Sequence, residues 1–322
     1  MRILLIGPGS IGGLFAGKLA LTGNRILIYA HQDFSQFFKK NIFLITDIDK
    51  KDYVVPNLQL APSYAEFLKL KPYELPEICL ISVKSSDLEK ICIEYKEILE
   101  KINYLGLIQN GIENEEILRN YFPNSVIFRI ITSHGAMKET QTHIIHTGIG
   151  KTSICQIYPL FEELPSDKKR ILIEFSENLQ KSGFKNEINK DPIESIWRKA
   201  FTNIGINAIG AITRLTNGEL LKSEFLSDLI RKTINEAILI AKALNIQLDP
   251  SFDYVENAFE ILKNTATNKN SMLQDVLREK RTEIEFLNCK ITNYGKKLNV
   301  QTPLNQILSE LILGLEKSFG IL

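Results

Sequence analysis

Six residues near the start of the chain constrain its fold more than any others: Gly7-Pro8-Gly9-Ser10-Ile11-Gly12, set directly after the apolar run Ile3-Leu4-Leu5-Ile6. A Gly-x-Gly-x-x-Gly run is weak by itself, but between a buried strand and a helix it describes one particular turn. Gly7 permits the tight turn, Gly9 lets the backbone approach a pyrophosphate, and Gly12 lets the helix pack closely on the strand. The phosphates would face the positive end of the helix that opens at Ser10, with Pro8 and Ile11 completing the loop. Nicotinamide and flavin dinucleotides are both compatible with this turn.

The rest of the first half repeats the alternation. Ile26–Tyr29, Ile78–Val83, Leu105–Ile108 and Val126–Ile130 read as buried strands, and Ser10–Thr22, Ser86–Lys101 and Asn114–Tyr121 as helices between them. That order predicts a parallel sheet with crossover helices. Residues 134–158 alternate Thr, Ile and His with breaks at Gly148 and Gly150, which predicts antiparallel strands closing the sheet edge, followed by a helix over about 166–182. Asp191-Pro192-Ile193-Glu194 is a strong helix start. From there residues 192–209, 224–244, 252–264, 282–298 and 303–318 carry apolar spacing at three and four. The fold class expected is α/β: a Rossmann-type dinucleotide-binding domain over 1–189, then an all-α domain over 190–322.

Charge and composition exclude several function classes. A net charge of +1 provides no global field for nucleic acid or an anionic membrane, so anion recognition must be local. The opening apolar run is four residues long, and no later run approaches the roughly 20 of a membrane span. We therefore expect a cytoplasmic protein with neither a membrane nor a nucleic acid as partner. Cys79, Cys92, Cys155 and Cys289 lack paired spacing, and the chain has only four histidines, so buried thiols and no metal site are expected.

Coenzyme choice is usually decided at the end of the second strand, where an acid hydrogen-bonds the ribose of NAD and an arginine accommodates the extra phosphate of NADP. Here the residues are Tyr29-Ala30-His31-Gln32. The missing acid removes the main argument for NADH. His31, and Lys84 just past a strand, offer basic groups to NADPH without excluding NADH; His31 reads equally well as an exposed loop residue.

In the second half, Lys199, Asn203 and Asn207 recur every four residues and so line one helix face. Alone, such a row reads as a solvated stripe. Together with Ile108-Gln109-Asn110-Gly111, Trp197-Arg198-Lys199, Thr216-Asn217-Gly218-Glu219-Leu220, Ser271-Met272-Leu273-Gln274-Asp275 and Arg281-Thr282-Glu283-Ile284 it makes the whole chain resemble the ketopantoate reductase (2-dehydropantoate 2-reductase) family. The resemblance implies reduction of the 2-oxo acid ketopantoate to (R)-pantoate with NADPH, a step toward pantothenate and coenzyme A. It implies Lys199 as catalytic lysine and Glu283 as active-site carboxylate, with Asn110, Asn203, Asn207 and Ser271 contacting substrate or ribose. Lys84 matches a basic position of the family, whereas His31 stands where members commonly place arginine. A lysine suits the chemistry: its ordinary pKa of about 10.4 keeps it charged at neutral pH and acidic enough to protonate an alkoxide.

Two other readings stay open: a paralogue reducing another 2-oxo acid on the same scaffold, and a dinucleotide-binding sensor without turnover. Long helices from about Phe225 could bury an apolar face against a second copy, giving a homodimer, as readily as within the domain. A site drawn from Asn110 in one half and Lys199 and Glu283 in the other implies domain closure around substrate.

Overall fold

The computed structural model describes residues 1–30, 32–189 and 191–321. His31, read above as a coenzyme contact, and Lys190, read as the domain boundary, lie outside the described residues. The chain forms two compact units, Met1–Gln109 with Glu113–Pro192, and Asn110–Ile112 with Ile193–Leu322.

The first unit carries strands β1 (Arg2–Ile6), β2 (Arg25–Tyr29), β3 (Leu44–Thr46), β4 (Asp52–Val54), β5 (Leu58–Leu60), β6 (Ile78–Ile81), β7 (Tyr104–Leu107), β8 (Val126–Thr132), β9 (Gly135–Thr140), β10 (His143–Gly148), β11 (Thr152–Tyr158) and β12 (Asn186–Asn189). Its helices are α1 (Ser10–Leu21), α2 (Gln32–Phe38), α3 (Tyr64–Phe67), α4 (Leu88–Glu94), α5 (Lys96–Leu99), α6 (Asn114–Tyr121) and α7 (Ser166–Lys181). An eight-stranded sheet runs β12-β11-β8-β7-β6-β1-β2-β5, parallel except where β11 meets β8. Strand alternation explains the unbroken apolar runs. Ile3 and Leu5 point into one core with Phe15 of α1 and Phe175 of α7, while Leu4 and Ile6 point into the other with Leu88 and Leu118 of α4 and α6. Both faces are covered, so β1 from Ile3 onward and β6 throughout are apolar.

The chain builds β2 and β5 on one side of β1, then crosses to build β6, β7 and β8 on the other. Strand order reverses between β1 and β6, and ligands of such sheets lie at that switch point, beyond the carboxyl ends of the strands. Gly7, Lys84 and Gln109 follow β1, β6 and β7 at that edge.

Residues 134–158 differ in part from the expectation. The strands are antiparallel neighbours in sequence, but only β11 joins the main sheet. β9 and β10 form a second sheet, order β4-β3-β10-β9, laid on α1. The reason is packing: Gly13 and Gly17 of α1 present bare backbone, and a Cβ on Gly13 would stand 2.9 Å from Ile144 of β10. The expected helix over 86–101 is also broken at Tyr95, between α4 and α5.

The second unit holds α8 (Pro192–Thr213), α9 (Asn217–Lys222), α10 (Glu224–Ala243), α11 (Tyr254–Asn264), α12 (Ser271–Leu277), α13 (Asn288–Leu298) and α14 (Pro303–Ser318). α8 is buried on most sides, as its composition requires: Ile196, Trp197, Phe201, Ile204 and Ile209 are all within 5% of full burial. Gly205 lets α10 approach, since a Cβ there would stand 2.6 Å from Ile234. A polar cluster completes this core. Asn288 donates to the Ile204 carbonyl (3.0 Å) and to Asn305 (3.0 Å), while Glu236 accepts the first N–H groups of α14 from Leu304 and Asn305 (3.0 Å each). A buried carboxylate there meets the positive end of a helix. The expected helix over 282–298 is a short 3-10 turn, Ile284–Phe286, followed by α13. Among the described residues no helix is long and apolar enough to cross a membrane.

Candidate active site

The glycine-rich turn has the geometry its spacing predicts. Gly7 has φ +88°, and a Cβ there would stand 2.6 Å from Val83 Cγ1. Its N–H donates to the Tyr29 carbonyl at 3.2 Å, tying the loop to the end of β2. A Cβ on Gly12 would meet Ser82 at 2.7 Å, whereas one on Gly9 finds nothing nearer than the Ser82 carbonyl at 4.0 Å. Gly7 and Gly12 are therefore glycines because protein is in the way, and Gly9 is one where the backbone faces open space. The first turn of α1 holds no acid, and its leading N–H groups have no intrahelical acceptor. A cradle with an open backbone face, free helix amides and no carboxylate fits a pyrophosphate.

Beside it, the loops after β6 and β7 are cross-tied: Gln109 Nε2 donates to the Val83 carbonyl (2.7 Å) and Asn114 Nδ2 to Ser85 Oγ (2.8 Å). Lys84 sits half-buried between those ties.

Asn110 falls in the second unit, contrary to its place in the sequence reading, and so joins Lys199, Asn203, Asn207, Ser271 and Glu283. Its Nδ2 donates to Glu283 Oε2 at 2.9 Å. Gly111 makes this possible: it has φ +89°, and a Cβ would stand 2.8 Å from Phe286 Cβ. Only a bare backbone lets the strand-following loop lie on the 283–286 turn, where Ile112 N–H reaches the Phe286 carbonyl (3.3 Å).

Lys199 and Asn203 are half-buried on α8, and Asn207, one turn further, is only 2% exposed. The two asparagine amides stand on the face of α8 that carries Lys199, one turn apart. Ser271 is exposed at the first position of α12. Asn270 before it accepts from Leu273 N–H (2.8 Å) and donates to the Ile206 carbonyl (3.3 Å), which pins this helix start to α8 beside Asn207.

Some positioning groups escaped the sequence reading. Buried Thr282 (2% exposed) gives its N–H to Glu316 Oε1 of α14 at 2.5 Å, and its Oγ1 accepts from Ile284 N–H at 3.2 Å, so the turn presenting Glu283 is held from below. Arg198, next to Lys199, stacks over Phe252 (3.9 Å) and grips Glu194 through Nε and Nη2 (3.0 and 2.8 Å). The Thr216–Leu220 block has a structural role. Thr216 and Glu219 form a capping box, and Asn217 Nδ2 holds Thr265 Oγ1 (2.8 Å).

A glycine-rich cradle at the switch point of a parallel sheet, followed by a helical unit holding a lysine, paired polar groups and a carboxylate, defines the class: a dinucleotide-dependent oxidoreductase. The comparisons name the family. The model of ketopantoate reductase PanE/ApbA matches residues 3–157 and that of its C-terminal domain residues 191–316. The chain belongs to the ketopantoate reductase family. It is 29% identical to the 2-dehydropantoate 2-reductase of Pyrococcus abyssi over 321 residues, covering 99% of both chains. It is 27% identical to that of Vibrio cholerae over 322 residues, again 99% of both. Among solved structures, a ketopantoate reductase from Ralstonia eutropha superposes with TM-score 0.84 at 22% identity, covering 99% of this chain and 100% of that one. D-mandelate dehydrogenase, solved with NADH and anilino(oxo)acetate, gives TM-score 0.86 at 23% identity over 100% of both chains. At such identities the structural likeness speaks for the fold.

Proposed function

We propose that this chain reduces ketopantoate to (R)-pantoate with NADPH, a step toward pantothenate and coenzyme A; relatives along its whole length are named for reduction of that 2-oxo acid. The observation that carries the reading is the row of Lys199, Asn203 and Asn207 on α8, within the same compact unit as the Asn110–Glu283 hydrogen bond. When bound, the coenzyme supplies a hydride to the carbonyl carbon. Gly7, Pro8, Gly9, Ser10, Ile11 and Gly12 hold its pyrophosphate, and Lys84 and Asn110 contribute coenzyme contacts.

As the carbonyl becomes an alkoxide, negative charge gathers on its oxygen. The Lys199 ammonium hydrogen-bonds that oxygen as the charge develops and then transfers a proton to it, giving the secondary alcohol. Lys199 is left neutral and regains a proton from solvent. Asn203, Asn207 and Ser271 donate to the substrate carboxylate without altering the charge of Lys199. Glu283 accepts from the substrate hydroxyl, its other direction fixed by Asn110. Replacing Lys199 with alanine tests this: kcat should fall about 10²- to 10⁴-fold with coenzyme affinity unchanged. A variant that turns over as fast as wild type overturns the assignment.

A further inference from the structure

The end of β2 offers neither the acid that would hold an NAD ribose nor an arginine for an extra phosphate. A cation reaches that corner from a distant part of the chain. Lys138, half-buried on β9, places Nζ 3.2 Å from the Pro8 carbonyl and 5.3 Å from the centre of the Phe34 ring. Pro8 is the second residue of the glycine-rich turn, and Phe34 lies in α2, the helix that follows β2. The Gly7 N–H bond to the Tyr29 carbonyl fixes the turn against the end of β2. The ammonium of Lys138 therefore sits where turn, strand end and next helix meet. In this fold that corner receives the adenosine ribose.

Its placement is built rather than incidental. β9 belongs to the small sheet laid on α1, and the bare backbone at Gly13 and Gly17 is what lets that sheet come close. Lys138 pairs in register with Ile144, whose side chain packs on Gly13, so the same contact that docks the sheet sets the height of the lysine above the turn. The Phe34 ring lies beside the half-buried ammonium, and a charge partly removed from water acts more strongly on a nearby anion.

We propose that Lys138 is a coenzyme-specificity residue, pairing its ammonium with the 2′-phosphate of NADPH and taking the part that an arginine at the end of β2 would otherwise play. The proposal rests on the NADPH reading above. It requires no covalent step, only a charge-assisted hydrogen bond to the phosphate.

Equilibrium titration of the full-length protein with NADPH and with NADH, followed by the coenzyme's own fluorescence, tests it without turnover. Wild type should bind NADPH more tightly than NADH. Lys138→Met should weaken NADPH about 10- to 100-fold while NADH stays within about twofold, and Lys138→Arg should keep the preference. Equal weakening of both coenzymes would mean that Lys138 serves the turn or the pyrophosphate, and overturns the assignment. So does a Lys138→Met protein that keeps the wild-type preference for NADPH, and in that case the NADPH reading survives. A wild type that binds both coenzymes equally overturns the NADPH reading and this assignment together.

Discussion

Lowering the pH from 7 to 5 should cost the first unit about 2 kcal/mol of stability through one buried row of side chains. Lys18 Nζ lies 2.7 Å from Asp47 Oδ2, Asp47 Oδ1 lies 2.6 Å from His146 Nδ1, and His146 Nε2 lies 2.9 Å from His134 Nδ1. A carboxylate only accepts, so His146 donates through Nδ1 and accepts at Nε2, and His134 must donate to it through Nδ1. That leaves His134 Nε2 buried without a partner among the described residues, with the ring edge-on to Phe184 at 5.0 Å. Protonating it would create a buried donor with no acceptor. Burial, then His146 and the Lys18 charge, hold its pKa down to about 4 from the ordinary 6.5. A group depressed in the folded state contributes its full stability above the unfolded value. That contribution falls as pH drops below 6.5, by about 1.4 kcal/mol per pH unit, and levels near 4. Asp47 adds nothing in this window. Burial raises it, but bonds from Lys18 and His146 outweigh that and hold it at about 2, so its contribution is lost only below its ordinary 3.8. The chain's single tryptophan, Trp197, lies in the other unit, so the readout is hydrogen exchange at the β1 and α1 amides. Their protection should drop about twentyfold between pH 7 and 5, after correction for intrinsic rates, and His134→Leu should abolish the slope. Unchanged protection in wild type, or a slope that survives in the variant, would refute the reasoning.

Two further predictions concern the same unit. Gly9→Ala should keep thermal stability, its Cβ having 4.0 Å of clearance, yet weaken coenzyme binding; Gly12→Ala, which drives a Cβ to 2.7 Å from Ser82, should cost about 1–3 kcal/mol in urea unfolding as well. Glu115→Gln should cost about 3–5 kcal/mol in the same assay, because it leaves the Arg129 guanidinium, whose side chain is 3% exposed, without its charged partner.

What the sequence made legible followed from periodicity. Buried strands such as β6, and β1 from Ile3 onward, are apolar because both sheet faces are covered, and α8 announces itself at Asp191-Pro192. The small sheet was not legible. β3 and β4 are three residues each, too short for an alternation to show, and β3 pairs with β10 across the chain, Thr46 against Ile145. The break before α13 was hidden for a related reason. Apolar residues continue in helical spacing through Ile284, Leu287 and Ile291, while the backbone at Leu287, φ −121° and ψ −102°, leaves the helical region. In the site, the row on α8 and the glycine turn are local and could be read. The Asn110–Glu283 bond and the reach of Lys138 to Pro8 join residues 173 and 130 positions apart, and no local pattern encodes them.

In the proposed reaction NADPH would supply the hydride, Lys199 the proton, and Glu283 would hold the substrate hydroxyl of a 2-oxo acid. The direct measurement is kcat/KM with NADPH for ketopantoate and for the same branched 2-oxo acid lacking the hydroxyl. A carboxylate placed for that hydroxyl predicts a preference for ketopantoate of about 100-fold or more, collapsing in Glu283→Ala. Equal kcat/KM for the two acids in wild type, or no turnover of either, would contradict it.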